Sequence, residues 1–181
     1  MRTGRYTRPP WHDQHTQVWL QVVQPMLPES GVRWLEIGSF EGRSARWTID
    51  NLLGADGEIT CVDFWRDAET EKNFEANLGG EATKIKARSD EFLRSDESTY
   101  HGIYIDGSHD APDVITDAVL AWPRLLVRGV LIFDDFRWRH PQHAVGTVDP
   151  GVAIDAFLRC FQTRLAVLHH GSQVIVRKRR N

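Results

Sequence analysis

The sequence predicts an α/β protein: a mostly parallel sheet, helices on both faces and an antiparallel hairpin at the end. Three observations predict it. Short apolar runs alternate with segments of helical spacing five times before two final runs flank a turn. One alternation, Val32 to Leu53, reads as strand, glycine turn and helix, the unit with which such sheets hold nucleotide-like ligands. Acids stand at or just beyond the carboxyl end of every parallel strand, where ligands bind in open α/β sheets.

The elements follow in order. Residues 1–10, with Gly4 and Pro9-Pro10, make an irregular arm. Val18, Trp19, Val22, Val23 and Met26 recur at helical spacing, so 11–27 is a helix that Pro25 can end early. The first strand is 32–37 and the first β/α helix 43–53. A second strand covers 58–63, and a helix over 68–78 closes at Gly79-Gly80. The third strand is 83–87, followed by Ser89 as N-cap of a short helix over 90–94. The fourth strand is 102–105. A helix runs from Ala111 or Pro112 to Leu126, kinked or split by Pro123. The fifth strand is 130–133, a long loop spans 134–151, and a helix covers 152–161. Residues 165–168 and 174–176 flank His169-His170-Gly171-Ser172 as a hairpin.

A chain of 181 residues with 41% apolar and 26% charged residues suits one domain, 31–181, behind an N-terminal arm and helix, 1–30. The formal net charge of −3 argues against a nucleic-acid partner. The ends are basic (Arg2, Arg5, Arg8; Arg177 to Arg180), a pattern expected of frayed, solvated termini. Two cysteines outside any CxxC pair fit buried, reduced thiols in a cytoplasmic protein. No apolar run nears 18 residues and the start reads as no signal peptide, so no membrane partner is expected.

The glycine turn selects the ligand. A dinucleotide fingerprint counted from Gly38 would need glycines at Phe40 and Arg43, and fails at both. The looser pattern acid-x-Gly-x-x-x-Gly fits at Glu36, Gly38 and Gly42. In this the chain resembles the class I S-adenosylmethionine-dependent methyltransferases. Phe40 replaces their middle glycine, a departure shared by short bacterial O-methyltransferases. The resemblance covers residues 30–178. It implies a Rossmann-like seven-stranded sheet with the last strand antiparallel.

The resemblance also implies a donor site. Gly38 and the amides of Ser39, Phe40 and Gly42 would face the methionine part of S-adenosyl-L-methionine, with Glu36 offsetting its positive charge. Asp63, 25 residues after Gly38, can accept both ribose hydroxyls and matches the ribose-binding acid. Trp65 either covers the adenine face or packs on the surface. Ser89 and Asp90 match the adenine-edge position, or else cap a helix.

A second block is Asp106-Gly107-Ser108-His109, with Asp134-Asp135 beyond the fifth strand. Three carboxylates in one cleft repel each other unless a cation or protons intervene. Oxygen ligands suit Mg²⁺ or another divalent cation. The pattern resembles the macrocin and novobiocin types of metal-dependent O-methyltransferase, which implies Asp106, Asp134 and Asp135 as metal ligands. In a metal-free enzyme Asp106 would touch the donor. The base position of those relatives holds Ser108, so adjacent His109 is the expected general base, or a helix-capping histidine; Asp110 is weaker. The loop with His140 and His143 would wall the acceptor. Zinc is not expected, because no histidine pair has i, i+4 or CxxC partners.

The expected activity is methyl transfer to a small-molecule hydroxyl of a sugar or natural product. The alternatives are a nucleic-acid methyltransferase, or a non-catalytic cofactor-binding subunit, which could dimerise to complete its pocket. Against the first, Asp106-Gly107-Ser108-His109 stands where amino-methylating enzymes carry Asn/Asp-Pro-Pro-aromatic.

Overall fold

Alternation along Trp34-Leu35-Glu36-Ile37 sets the architecture, because successive side chains in a strand face opposite sides of the sheet. Leu35 and Ile37 enter one core and Trp34 enters the other. The computed structural model describes residues 4–141 and 146–181. The strands are β1 (Arg33–Ile37), β2 (Glu58–Asp63), β3 (Thr83–Lys86), β4 (Tyr100–Ile105), β5 (Leu125–Phe133), β6 (Leu165–His170) and β7 (Val174–Lys178). They form one seven-stranded sheet in the order β3-β2-β1-β4-β5-β7-β6. β7 is antiparallel to both β5 and β6, and the other neighbours are parallel. The expected fold class is the observed one.

Helices α2 (Arg43–Asn51) and α3 (Ala68–Leu78) cover the Trp34 face. The Leu35 face packs against α4 (Ser89–Ser95), α5 (Ala111–Ala121) and α6 (Pro150–Phe161). Asp67 caps α3 by accepting from the Thr70 amide, and Gly79 ends it in the left-handed region. The order reverses between β1 and β4, and strands diverging there open a cleft at their carboxyl ends.

Three expected helical assignments change. Residues 11–26 are not one α-helix but a mosaic: 3-10 turns at Trp11–His15 and Gln24–Met26 flank α1 (Thr16–Val18) and a π-helical turn, Trp19–Val23. The helix expected to reach Leu126 stops at Ala121. Pro123 sits in a 3-10 turn, and β5 begins at Leu125, where Leu125 is buried in the sheet core. Ser89 is the first residue of α4, not its cap; Arg88 holds the cap position.

The described ends are not frayed. Arg5 and Thr7 donate backbone amides to Asn77 (2.6 Å) and Glu41 (2.8 Å). Lys178 is buried and donates to the carbonyls of Trp122 (2.9 Å) and Leu125 (2.8 Å); burial lowers its pKa. Cys61 is buried as expected, but Cys160 is exposed on α6. No helix among the described residues is long and apolar enough to cross a membrane.

Candidate active site

The loop from β1 to α2 comes first. Gly38 adopts φ +86°, and a Cβ there would sit 2.1 Å from the Asp106 carbonyl oxygen. Only glycine lets β4 approach this closely. Gly42, at φ +76°, is the N-cap of α2, and an added Cβ would meet Phe74 at 3.1 Å. Phe40 departs from the usual glycine yet still takes φ +46°. Asp63 at the end of β2 holds it: Oδ2 accepts the Phe40 amide (2.8 Å) and Oδ1 the Trp65 amide (2.7 Å).

Trp65 is buried with its ring centroid 4.6 Å from that of Phe74, and its indole N–H donates to the Phe40 carbonyl at 2.7 Å. It braces the loop. Neighbouring Phe64, 51% exposed, is the more open aromatic on the cleft. Ser89 and Asp90 line the same cleft, and Ser89 hydrogen-bonds Asp117, whose pKa burial pushes up to about 6.

Glu36 lies wholly buried. Ser44 Oγ donates to its Oε1 at 2.9 Å, while Oε2 has no partner. Burial pushes its pKa up to about 8, so the carboxyl is largely protonated at neutral pH. The unfolded chain gives up this proton near pH 4.5, whereas the folded protein keeps it until about pH 8. Stability from this group is therefore present below the lower value and lost as pH rises through that window. The loss amounts to roughly 3–5 kcal/mol. Urea unfolding at pH 5 and pH 8.5 checks this: Glu36→Gln should have a shallower pH slope than wild type. Parallel slopes would refute the assignment.

The second half of the site gathers at the tips of β4 and β5. Tyr104, fully buried, donates its hydroxyl to Asp134 Oδ2, and that hydroxyl also lies 3.0 Å from Asp106 Oδ2. Burial, then repulsion from Asp134 and Asp135, raises the Asp106 pKa well above the usual range. His109 Nε2 lies 2.8 Å from Asp135 Oδ2, and the ring stacks on Trp138 at 4.6 Å and 12°. The Asp135 hydrogen bond raises the His109 pKa against the opposing effect of burial.

The expected metal set was Asp106, Asp134 and Asp135. Atoms of Asp106, His109 and Asp135 lie within 4.8 Å of one another and offer two oxygens and a nitrogen, a donor set that fits a divalent cation. Asp134 faces protein donors. Its Oδ2 accepts from Tyr104 and from Gln173 Nε2 (2.9 Å), and its Oδ1 from the Asp135 amide (2.7 Å). His140 packs edge-on against Trp138, whereas His143 lies outside the described residues.

The N-terminal segment, which the sequence makes an addition to the resembled fold packed over the sheet or the site, does reach the site, but sequence reasoning named none of the residues it brings there. His12 and His15 are both buried and line the cleft. Burial first, then the charges of His15 and Arg43, lower the His12 pKa to about 4, so it is neutral. Both its ring nitrogens are without partners. Glu41, also buried, accepts from Thr7 and Asn73 and ties the arm to the glycine loop. One signal was readable: a tyrosine in a buried strand needs a hydrogen-bond partner for its hydroxyl. The cleft joining both halves has a volume of about 1320 Å³.

Residues 35–136 match the methyltransferase-domain family. The chain belongs to that family. With its seven-stranded order and glycine loop, it is a class I S-adenosylmethionine-dependent methyltransferase. No curated protein sequence matches it. Among solved structures, the methyltransferase is similar to a candidate O-methyltransferase from Klebsiella pneumoniae: 19% identity, TM-score 0.71, covering 97% of this chain and 84% of that one. It is also similar to MycE of the mycinamycin biosynthetic pathway, in complex with Mg, SAH and mycinamycin VI. The identity is 19% and the TM-score 0.65, covering 92% of this chain and 50% of that one. An rRNA methylase from Streptococcus thermophilus matches with 9% identity and TM-score 0.66, covering 97% and 100%. At these identities the likeness of the methyltransferase to each is one of fold.

Proposed function

We propose that this methyltransferase transfers a methyl group from S-adenosylmethionine to a hydroxyl of a small molecule, with a divalent cation beside the donor. The observation that carries this reading is the convergence of Asp106, His109 and Asp135 within 4.8 Å at the tips of β4 and β5, the first of which meets the glycine loop at Gly38. The Mg and macrolide bound to MycE support it by analogy of fold.

The residues divide the work. Gly38 and Gly42 shape the loop so that the Ser39 amide seats the methionine part; the Phe40 amide, expected there as well, is instead held by Asp63, whose remaining lone pairs take the ribose hydroxyls. Ser89 and Asp90 flank the adenine, with the exposed Phe64 beside them in place of Trp65, which is spent on bracing the loop. Glu36 lies beneath the loop and offsets the donor's positive charge once its proton leaves. Asp106, Asp135 and His109 would hold the cation, with the Asp134 charge alongside. Mg²⁺ fits the oxygens, and the imidazole also admits first-row ions such as Mn²⁺. When bound, such an ion would lower the pKa of a coordinated hydroxyl, whose proton passes to solvent; that oxygen takes the sulfonium methyl, and S-adenosylhomocysteine leaves as the neutral thioether. The protein contributes alignment and exclusion of water.

The 2.8 Å contact between His109 and Asp135 favours a second reading without metal. There Asp135 orients and raises the imidazole, which takes the acceptor's proton as general base. A nitrogen that grips a cation cannot take a proton at the same moment, so chelation separates the two. RNA is the weaker acceptor, because the net charge is −3 and Lys178 is spent on internal carbonyls. A cytoplasmic setting fits the two free thiols.

The test incubates enzyme, donor and a panel of sugar, phenol and macrolide hydroxyls, and follows methyl ethers and S-adenosylhomocysteine by mass spectrometry. Chelation should lower turnover by about 10²-fold, restored by Mg²⁺ or Mn²⁺. Full turnover in chelator selects the His109–Asp135 base. Failure to bind S-adenosylhomocysteine in calorimetry sinks both.

A further inference from the structure

Asp135 takes φ +58°, a left-handed conformation unusual for a residue with a side chain. Something must hold it there. The nearest restraint is Asp134, whose Oδ1 accepts the Asp135 amide at 2.7 Å. Asp134 is itself held through Oδ2 by the Tyr104 hydroxyl and by Gln173 Nε2 at 2.9 Å. Gln173 sits at the β6–β7 turn and is buried.

The amide of Gln173 could face either way, since its oxygen accepts and its nitrogen donates. Trp19 decides. Its indole N–H, which can only donate, reaches Gln173 Oε1 at 2.8 Å. The oxygen must face Trp19, and the NH₂ therefore faces Asp134. Trp19 is fully buried in the N-terminal segment, edge-on to Tyr104 with ring centroids 4.9 Å apart. Trp19 and Gln173 are 154 positions apart, and both lie outside the residues that match the family.

We propose that Trp19 and Gln173 are positioning residues that hold Asp134, and through it Asp135, in the geometry in which Asp135 meets His109 and Asp106. The path runs Trp19 indole, Gln173 amide, Asp134 carboxylate, Asp135 backbone. Each link is a single hydrogen bond with fixed donor and acceptor. The N-terminal segment thereby acts on the acidic half of the cleft through Trp19, as its arm does on the glycine loop through Thr7. This inference rests on the cation reading given under Proposed function.

The test is Mn²⁺ binding to the purified full chain, read by electron paramagnetic resonance as loss of the free-ion signal. Affinity for S-adenosylhomocysteine is measured in parallel by calorimetry. Trp19→Phe keeps an aromatic ring and removes the N–H. Gln173→Met keeps the length and removes the donor. Each variant should weaken Mn²⁺ binding roughly tenfold or more, the usual effect of losing an outer support of a metal ligand. Binding of S-adenosylhomocysteine should stay within about twofold, a split that a general loss of folding would not produce. The double variant should be no weaker than Gln173→Met alone, because the two act in series. Wild-type Mn²⁺ affinity in either folded single variant overturns the inference. Equal losses for Mn²⁺ and S-adenosylhomocysteine also overturn it, by assigning the pair a merely structural role. A wild type that binds S-adenosylhomocysteine but no Mn²⁺ sinks the cation reading and this inference with it.

Discussion

Gly38→Ala should destabilise the protein by about 3–5 kcal/mol and abolish S-adenosylhomocysteine binding. Two independent costs fall on the same atom. The backbone stands at φ +86°, where an L side chain is strained. The added methyl carbon would lie 2.1 Å from the Asp106 carbonyl oxygen and 2.5 Å from the Gly107 Cα. Both obstacles are backbone, so no side chain can swing aside. Relief requires β1 and β4 to separate, yet the Asp106 amide donates to the Ile37 carbonyl at 2.8 Å just before this point. The same movement would shift Asp106 away from its neighbours. Urea unfolding measures the stability loss, and calorimetry the binding. The control is Gly31→Ala: φ there is +64°, but nothing lies within 4 Å. That variant pays only the conformational strain, about 1 kcal/mol, and should bind S-adenosylhomocysteine like wild type. If Gly38→Ala behaved like Gly31→Ala, the close crossing of the two strands would not matter to the site.

The strand–turn–helix unit was legible because its signals are local. Glu36, Gly38 and Gly42 stand within seven positions, and the short apolar run before them marks a strand buried on both faces. The same holds for β2 and α3, whose bounds, Glu58–Asp63 and Ala68–Leu78, match the expected ones. Local signals fail where distant packing decides. Leu125 and Leu126 continue the apolar pattern of α5, yet β4 recruits Leu125 opposite Tyr100, and a residue can follow only one of the two. The site divides in the same way. Asp63, Asp106 and Asp135 were legible as acids at strand tips. That Asp134 spends its lone pairs on Tyr104, Gln173 and the next amide was not, because Gln173 arrives from the terminal hairpin. His109 shows the intermediate case. Its proximity to the acids followed from position, whereas its bond to Asp135 and its stack on Trp138 needed the course of residues 134–138. His12 and His15 gave no signal, since a mosaic of helical turns has no single period that would say which side faces the cleft.

Asp106→Asn should move stability and activity in opposite directions. In the folded protein the Asp106 carboxyl is desolvated and faces the charges of Asp134 and Asp135, so its pKa is raised above the unfolded value. A raised carboxyl pKa means that stability is lost as pH climbs above the unfolded value, and that the loss persists at neutral pH. Asparagine keeps the shape and removes the ionisable group. Its NH₂ can donate to the Tyr104 hydroxyl oxygen, which already lies 3.0 Å from Asp106 Oδ2, or to a neighbouring carboxylate. The variant should therefore unfold on the order of 2–6 °C higher than wild type, corresponding to about 1–2 kcal/mol. The margin should shrink as pH falls, because protonation of Asp106 relieves wild type of the same repulsion. Turnover should fall by about 10²–10³-fold and Mn²⁺ binding should weaken, because the neutral amide supplies neither the charge nor the oxygen basicity of the carboxylate. A site tuned for function at the expense of stability behaves in this way. Loss of stability together with activity would mean that Asp106 is chiefly a structural anchor for Tyr104 and the β4 tip. Scanning calorimetry across pH and a single methyl-transfer assay distinguish the two.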